Sequence, residues 1–342
     1  MELILENVRC FAGKHIIPIK PLTILLGENS SGKSTLLAAL SAICDPVGFP
    51  MQPNINEPPY RLGGFDTIAT YKGGRYGRAS LFSLGHRVDS DDKKDASTVL
   101  ADYLGFQGRV TLYALSITTP VGNVYVVLEK AFQGYKVRLE LPDSGKTEPI
   151  EYVIDRAKME GRGLDFVREM FFYVNEMALD NPLAKHVSFD AILKIWSFVS
   201  RSGLLANPLS IAPVRTRPRR TYDQITENFT PEGDHIPFIL ARILTEYPSS
   251  KQRKPLVLAL ERFGKESGLF KEIGVKRLGN KAGDPFQVTV TVAGRPANML
   301  DVGYGVSQTL PVVVQSVLAA EERLLLLQQP EVHLHPKAQA AL

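Results

Sequence analysis

The spacing of apolar and polar residues divides the 342-residue chain into segments of different predicted structure. Alternation predicts a strand over residues 2–9, and an apolar run predicts a second, buried strand over 22–26. A helix is predicted after it, ending near Ile43, because leucine and alanine follow one another there. Two polar stretches, 45–65 and 86–98, are rich in turn-forming or charged residues and predict an irregular excursion and a solvated loop.

The middle of the chain predicts an antiparallel sheet followed by helices. Alternating segments separated by glycine-containing turns predict a β meander between residues 108 and 155. Its predicted strands are Arg109–Thr118, Asn123–Lys130, Tyr135–Leu141 and Ile150–Ile154. Helical spacing of apolar residues over 156–205 predicts a helical insertion, which is too short and aperiodic for a long coiled-coil arm. Its aromatic and methionine residues are expected to form a core.

The last third of the chain predicts strands and helices in alternation. The predicted strands are 209–214, Val288–Val292 and a buried parallel strand over Arg323–Leu327. The predicted helices are 306–321 and a longer one over 236–268, interrupted near Pro248 and Pro255. No internal repeat is found, so a solenoid architecture is not expected.

Composition is that of a globular protein, with 44% hydrophobic and 22% charged residues. The net charge of +4 is too small to establish nucleic-acid binding. The N-terminus lacks the basic start and apolar core of a signal peptide, and no stretch approaches the roughly 20 apolar residues of a membrane helix. Cys10 and Cys44 give neither a disulfide framework nor a metal-binding spacing, so a cytoplasmic location is expected.

Residues 27–35, Gly-Glu-Asn-Ser-Ser-Gly-Lys-Ser-Thr, fit the pattern G-x-x-x-x-G-K-[ST] of loops that bind nucleotide phosphates. The loop lies between a predicted strand and a predicted helix, where backbone amides and the helix dipole favour an anion. The alternative is a Gly/Ser turn before an ordinary helix. The motif predicts that Lys33 reaches the β- and γ-phosphates and that the Ser34 hydroxyl ligates Mg²⁺. ATP and Mg²⁺ are therefore the expected ligands.

A second candidate motif precedes the predicted helix 306–321. The run Asp301-Val-Gly-Tyr-Gly-Val-Ser-Gln308 places two glycines and a serine near a helix N-terminus, which makes either an anion site or an ordinary helix cap. Further on, an apolar run leads into Gln328-Gln-Pro-Glu-Val-His-Leu-His-Pro336. In phosphate-loop ATPases, a second strand ends in an acid that helps to hold Mg²⁺, and the group that orients the attacking water lies next to it.

In these motifs the chain resembles the ABC-type ATPases of the RecF/SMC clade, in particular the short, OLD-like branch found in anti-phage defence and DNA-metabolism operons. The segments that carry the resemblance are Leu5–Phe11 with Leu22–Leu36, the strand end Ile211–Arg215, the variant signature loop Asp301–Gln308 and the Walker B segment Leu324–Pro336. Residues 90–205 carry little of it. The resemblance implies an α/β fold, a P-loop NTPase of the ABC-ATPase head type, with a mixed sheet, an antiparallel β lobe and a helical insertion.

The patterns and the resemblance together predict three regions. Residues 1–155 are expected to form an ATPase lobe with the phosphate loop and the antiparallel meander, and 156–205 the helical insertion. Residues 206–342 are expected to form the ATPase lobe with the signature loop and the Walker B strand. Relatives continue past Leu342 with another strand and a switch histidine, so we expect a fragment or a head that another polypeptide completes.

The resemblance implies that two heads pack head to tail around two ATP molecules. The residues it assigns to phosphate binding within one subunit are Arg9, Gly27, Asn29, Ser30, Gly32, Lys33, Ser34 and Thr35. From the other subunit, Gly303, Gly305 and Ser307 would contact the γ-phosphate. For Arg9, a surface salt bridge is an equal alternative. The resemblance therefore makes a homodimer or a higher oligomer the expected state.

Two amides depart from the pattern of the relatives. Gln328 occupies the position of the acid that supports Mg²⁺, and Gln329 stands where transporter ATPases carry the water-activating glutamate, although this branch often has glutamine there. An amide holds water but neither compensates metal charge nor accepts a proton at neutral pH. We therefore expect ATP binding with slow or absent hydrolysis, with Glu331 as a partial substitute. The sequence leaves open whether Gln328 is natural or an introduced, ATP-trapping substitution.

Two histidines in the same segment, His333 and His335, have the spacing of a metal-binding pair. The resemblance instead implies that they are structural residues around the loop that contacts the other head. Outside the acidic run 89–95, acidic residues do not cluster at metal spacing, so the chain shows no nuclease site of its own.

Three functions are compared on these grounds. The first is an ATP-binding and -hydrolysing switch whose dimerisation controls a partner effector, a nuclease or a toxin, in anti-phage defence. The alternative is a DNA-repair or chromosome-associated ATPase, in which the arginine-rich loop 215–220 with Lys251, Arg253 and Lys254 contacts duplex DNA instead of forming a solvated face. An ATPase of a membrane transporter fits worst, because the signature loop is not Leu-Ser-Gly-Gly-Gln. No membrane partner is therefore expected.

Overall fold

The computed structural model describes most of the chain in two compact units, Met1–Asn207 and Pro208–Leu342. The described residues are 1–74, 77–88, 96–129, 134–140, 149–155, 194–195, 197, 208–223, 228–246, 249–281, 283–319 and 323–342. The helical insertion predicted over 156–205 lies outside them except at 194, 195 and 197, so it stays a prediction.

The first unit contains an eight-stranded sheet in which every neighbouring pair is antiparallel. Its strands are β1 (Glu2–Val8), β2 (Phe11–Pro18), β5 (Phe82–Val88), β6 (Ser97–Phe106), β7 (Arg109–Thr119), β8 (Gly122–Leu128), β9 (Gly134–Glu140) and β10 (Ile150–Asp155). Their order across the sheet is β10-β9-β8-β7-β6-β5-β1-β2. Two short strands, β3 (Tyr71–Gly73) and β4 (Gly77–Arg78), form a separate hairpin.

The predicted β meander is confirmed as strands β7 to β10, with bounds within two residues of the prediction. In β8, for example, buried and partly exposed residues alternate over most of the strand, which is the pattern that predicted it. The loop predicted over 86–98 is wrong at both ends, because 86–88 belong to β5 and 97–98 begin β6. The predicted loop was too long because its bounds were extended on both sides of the charged run 89–95. That run itself lies outside the described residues.

Two helices accompany the sheet, α1 (Lys33–Ile43) and α2 (Phe65–Ile68). Helix α1 ends where the sequence predicts, and it contacts β1 and β5 of the sheet. Its three alanines, Leu36 and Leu40 are buried, as are Leu3, Leu5 and Leu84 of those strands. Burial of this apolar surface holds the N-terminus of α1, and therefore the loop before it, against the sheet.

The strand predicted over 22–26 is wrong in this structure. Leu22, Ile24 and Leu26 are 80%, 71% and 89% exposed, and no described strand pairs with this segment. Strand β2 has already ended at Pro18, and Thr23 Oγ1 closes a turn by accepting from the Lys20 amide at 2.9 Å. An apolar run becomes a buried strand only where a neighbouring strand and an apolar layer cover it. Neither lies beside this segment among the described residues of the first unit.

The second unit alternates strands and helices. Its helices are α3 (Ile236–Ala241), which continues as a π-helical turn over Arg242–Glu246, α4 (Arg253–Ser267), α5 (Tyr304–Leu318), preceded by a 3₁₀ turn over Met299–Asp301, and α6 (Pro336–Ala341). Its strands are β11 (Leu209–Ile211), β12 (Glu272–Arg277), β13 (Phe286–Val292), β14 (Arg295–Asn298) and β15 (Leu325–Leu327). Strands β12, β13 and β14 form an antiparallel sheet, and β11 pairs with β15 in parallel.

The parallel strand predicted before residue 328 is therefore confirmed, although the described structure places it in a two-stranded pair and not in one mixed sheet. Within the helix predicted over 236–268, the described residues 249–252 are not helical, and helix begins again at Arg253. The predicted break at Pro255 is wrong, because this proline lies in the first turn of α4, where its missing N–H has no intrahelical acceptor to lose. Helix α3 packs on β12 and β13 and helix α4 on β12, while α5 and α6 pack on α4, around a core that includes Leu240, Leu260 and Val290.

Candidate nucleotide-binding site

The phosphate loop of the first unit turns directly into α1. Gly32 is the N-cap of the helix, with φ +100°, and no side chain caps the helix. The first helical hydrogen bond runs from the Leu36 amide to the Gly32 carbonyl over 2.9 Å. The amides of residues 33–35 therefore have no acceptor within the helix, and no bond from them to another described residue is found. Three free N–H groups at the positive end of a helix dipole make a site suited to phosphate oxygens.

The Lys33 side chain folds back over the loop that precedes it. Its Nζ donates to the carbonyls of Gly27, at 2.8 Å, and Glu28, at 2.6 Å. An ammonium group has three donors, so one remains for a ligand once these two carbonyls are satisfied. The ammonium is thus held beside the phosphate loop. This is the position in which the motif predicts that it contacts phosphate.

The remaining predicted phosphate ligands differ in exposure. Asn29, Ser30 and Ser34 are exposed, so the Ser34 hydroxyl is accessible to a cation. Ser30 has φ +64°, which is uncommon for a residue with a side chain and marks a sharply turned loop. Thr35 is only 5% exposed, so its hydroxyl is the least accessible of the set.

Gly32 is required by its backbone and by its neighbours. A Cβ built at this position would lie 2.5 Å from Cys10 Sγ and 3.1 Å from the Phe11 ring. The positive φ adds a second restriction, because side-chain-bearing residues rarely adopt it. The loop is therefore seated on the turn between β1 and β2, and this contact fixes where the helix N-terminus points.

Arg9, the other predicted phosphate ligand, is used within the first unit. Its Nε donates to the Thr67 carbonyl at 3.2 Å, and its Nη2 donates to the Leu62 carbonyl at 2.9 Å. Both acceptors are backbone carbonyls, so these bonds are neither of the two roles predicted for Arg9, a phosphate contact or a surface salt bridge. The structure instead shows Arg9 tying the turn after β1 to the segment around α2, and its contact with phosphate stays a prediction.

The predicted signature loop forms the start of α5 in the second unit. The helix begins at Tyr304, two residues before the predicted start, with the exposed Gly303 as its N-cap. Gly305 lies in the first turn and is partly buried. Ser307 is 7% exposed, and its hydroxyl donates to the Tyr304 carbonyl at 2.9 Å. Of the three residues predicted to contact a second head, Gly303 is the most accessible, and that contact stays a prediction.

The predicted Walker B residues follow β15. The Gln328 amide donates to the Ile211 carbonyl at 3.1 Å and extends the parallel pairing by one residue. Gln328 Nε2 is buried and has no hydrogen-bond partner among the described residues. Gln329 is exposed with φ +43°, and Glu331 is exposed two residues further on. Glu331, the only acid among residues 323–336, therefore faces solvent, whereas the buried side-chain nitrogen belongs to the neutral Gln328.

A buried arginine lies beneath this turn and was not predicted as part of the site. Arg215, which follows β11, is 2% exposed. Its guanidinium donates to four backbone carbonyls, those of Gln308 (3.1 Å), Pro330 (3.4 Å), Gln328 (3.4 Å) and Gln329 (3.1 Å). Burial lowers the pKa of Arg215, and Glu331 and Tyr304 partly oppose that effect. The sequence signals at this position were the strand end Ile211–Arg215 of the family resemblance and the arginine-rich loop 215–220, and neither predicted a buried role for Arg215.

Gln308, whose backbone carbonyl accepts from Arg215, is a second buried polar residue at this place. It is fully buried, and neither of its side-chain amide atoms has a partner among the described residues. Arg215 thus joins the first turns of α5 to the turn after β15 within the second unit. This arrangement connects the predicted signature loop with the predicted Walker B end in one subunit.

The two histidines have structural partners. His333 lies edge-on to the Tyr304 ring, with ring centroids 5.4 Å apart, and His335 Nδ1 accepts from the Lys337 amide at the start of α6. No group of three or more His, Cys, Asp or Glu side chains placed to hold a metal ion occurs in the described part of the chain. These contacts support the structural interpretation over a metal-binding pair.

The arginine-rich loop 215–220 is only partly available to a polyanion. Arg215 is buried. Arg220 forms a bidentate ion pair with Asp301, in which Nη2 donates to Oδ1 at 2.6 Å and Nη1 donates to Oδ2 at 2.9 Å. Arg217 and Arg219 are exposed and have no side-chain partner among the described residues. Two of its four arginines therefore serve the fold, which weakens the interpretation of the loop as a DNA-binding surface.

Residues 2–56 match the family model of the AAA domain. The matched segment contains β1, β2, the phosphate loop and α1, so it includes the candidate phosphate-binding residues of the first unit. The match indicates that the N-terminal part of the chain is of the AAA/P-loop ATPase type, which generally binds and hydrolyses ATP with Mg²⁺. No match was found among curated proteins. None of the helices in the described part of the chain has the length and apolar character needed to cross a bilayer.

Proposed function

We propose that this chain is an ATP-binding switch of the ABC type, related to RecF, SMC and OLD-like ATPases. The observation that carries the proposal is the position of Lys33. Its ammonium is held over the phosphate loop, next to the free amides of residues 33–35, in the segment that matches the AAA domain. A triphosphate is the biological anion that such a combination of amides and ammonium suits best.

The residues present fit a Mg²⁺–ATP ligand in the first unit. The free amides and the remaining Lys33 donor would hold phosphate oxygens, and the exposed Ser34 hydroxyl would ligate Mg²⁺. Bound Mg²⁺ supplies neutralisation of the charge on the phosphates. In the second unit, Gln328 would offer only a neutral amide oxygen to the ion.

Hydrolysis by this chain is expected to be slow. Gln329 is exposed and holds water without accepting its proton, and Glu331 is the only nearby carboxylate of the segment. ATP binding without rapid turnover gives a long-lived ATP state. That behaviour is useful in a switch whose assembled form, rather than its turnover, controls a partner.

The assembly and partner are part of the proposal. Two heads would pair on ATP, with Gly303, Gly305 and Ser307 of one head facing the phosphate loop of the other. The assembled form would control an effector, a nuclease or a toxin, in anti-phage defence, in the cytoplasm and without a membrane subunit. The support for this step is the resemblance of the motifs and their order along the chain.

The alternative is an ATPase of DNA repair or chromosome maintenance that binds duplex DNA directly. The observation in its favour is an exposed basic group, Lys251, Arg253 and Lys254, at the N-terminus of α4, where positive charge opposes the helix dipole. The buried Arg215 and the paired Arg220 count against it. Duplex binding that weakens steeply with salt would favour this function, and no binding at low salt would exclude it.

The test of the main proposal is ATP binding measured by calorimetry, together with molar mass measured by light scattering with and without Mg²⁺–ATP. We expect the unmodified chain to bind ATP and to increase in mass. Lys33→Ala should abolish both effects, while Lys14→Ala, which removes an exposed lysine from β2 of the same unit, should change neither. ATP binding that survives Lys33→Ala would contradict the proposed site. Binding without a mass increase would contradict the dimer.

A further inference from the structure

The second unit contains a cavity of about 260 Å³ that none of the motifs accounts for. One side is formed by residues 216–219 and Tyr222, and another by residues 230–238 at the start of α3. The first turns of α5 close it with Ser307, Leu310 and Pro311. The cavity therefore lies against the helix that carries the predicted signature loop, and its volume approaches that of typical small-molecule sites.

The positive charge at the cavity comes from two arginines that form no ion pair within the described part of the fold. Arg215 and Arg220, on either side of them in sequence, are fully engaged with backbone carbonyls and with Asp301. Arg217 and Arg219 both line the cavity, and neither guanidinium has a hydrogen bond or an ion pair among the described residues. Guanidinium groups bind carboxylates and phosphates through paired, charge-assisted hydrogen bonds.

The lining of the cavity is mixed, and its polar side chains are joined by an apolar portion. Phe238, Leu310 and Met299 line it, and Leu310 and Met299 are almost completely buried. Tyr222 adds a ring whose hydroxyl is already fixed, because it accepts from the Arg219 amide at 3.0 Å. This portion offers a place for an apolar or aromatic part of an occupant, next to the arginines that suit an anionic group.

Two acids limit the charge that the occupant can carry. Glu232 and Asp234 line the same cavity and form no ion pair with its arginines. They repel a second negative charge but accept hydrogen bonds from hydroxyl or amino groups. The lining thus favours one anionic group, at the arginine end, on an otherwise uncharged body.

We propose that this cavity binds a small organic anion, a phosphate monoester or a carboxylate with an apolar body. The anionic group contacts Arg217 and Arg219, and the body packs between Phe238 and Leu310. Since α5 forms one wall, the occupant restrains the first turns of that helix. The site shares no residue with the phosphate loop, and its occupation does not require ATP binding.

The probe is phenyl phosphate, titrated into the full chain by calorimetry at low salt, with benzoate, inorganic phosphate and benzyl alcohol as comparisons. We expect saturable binding of phenyl phosphate, with benzoate showing whether a carboxylate serves equally. Inorganic phosphate and benzyl alcohol should bind at least about tenfold more weakly, because each lacks one half of the ligand. Equal binding of inorganic phosphate would overturn the proposal of an organic ligand.

Three variants locate the binding. Arg217→Ala/Arg219→Ala should weaken it by about tenfold or more, whereas Arg217→Lys/Arg219→Lys should restore part of it. The matched control Arg253→Ala/Lys254→Ala removes the same charge from the same unit and should leave it unchanged. Lys33→Ala should also leave it unchanged. The proposal is wrong if no saturable binding occurs, if the control weakens binding equally, or if Lys33→Ala abolishes it.

Discussion

The buried guanidinium of Arg215 donates from Nη2 to the backbone carbonyl of Gln329 at 3.1 Å. It has no bonded carboxylate among the described residues, and four carbonyl dipoles take the place of a counter-ion. Such an arrangement is costly to assemble, because a buried charge loses its hydration. It also fixes the turn after β15 relative to α5, since both contribute carbonyls to the same side chain.

The first prediction concerns this arginine. Arg215→Met should lower the free energy of unfolding by about 3 kcal/mol, because it leaves buried carbonyls without a donor. Arg215→Lys should recover part of the loss, since an ammonium reaches fewer carbonyls in a less suitable geometry. Urea unfolding monitored by circular dichroism measures both. Arg217→Met is the matched control and should change stability by less than about 0.5 kcal/mol; an equal effect there would contradict the role given to Arg215.

The second prediction concerns the seat of the phosphate loop. Gly32→Ala should reduce ATP affinity by at least about tenfold, because the added Cβ collides with Cys10 Sγ and the residue must keep a positive φ. Calorimetric titration with Mg²⁺–ATP measures the change. Cys10→Ala combined with Gly32→Ala should recover only part of the affinity, since the backbone restriction remains. Full affinity in the single variant would show that the loop is not held by this contact.

The sequence predicts some elements here better than others, for physical reasons. Alternating burial in β8 and the glycine at the start of α1 are local signals, and both lead to correct elements. The run 22–26 is also a strong local signal, but burial depends on a covering layer that the run itself does not encode. Likewise, the role of Arg215 depends on carbonyls about a hundred residues away, at Gln308 and Gln329, which no local spacing reveals.

The third prediction tests the amide at position 328. Gln328→Glu should fold with little change in stability at pH 7, because it removes a buried donor that has no partner among the described residues and adds a negative charge to a residue whose backbone carbonyl accepts from the positively charged Arg215. If the proposed ATPase site is correct, the variant should also raise ATP turnover by about tenfold or more. Urea unfolding and steady-state phosphate release measure the two effects separately. Gln329→Glu, at an exposed position, should leave stability unchanged. A destabilised Gln328→Glu variant would contradict the electrostatic argument.

The last prediction concerns the pH dependence of stability and rests on His86 in β5. Burial lowers the pKa of His86 to about 4, from about 6.5, and neither ring nitrogen has a hydrogen-bond partner among the described residues. Between these two values the unfolded chain binds the proton and the folded chain does not, so stability is full above about pH 6.5 and falls as the pH drops towards 4.

At pH 5 this group alone should lower the free energy of unfolding by about 2 kcal/mol relative to pH 7, as an order of magnitude. Urea unfolding at the two pH values measures the loss, and His86→Phe should reduce it if the larger ring fits beside Phe49. Burial also lowers the pKa of His235 to about 4, so part of the dependence should remain in that variant and decrease further when His235 is replaced as well. A pH dependence that is the same in the His86 variant would show that this histidine is protonated, or hydrated, in the folded chain.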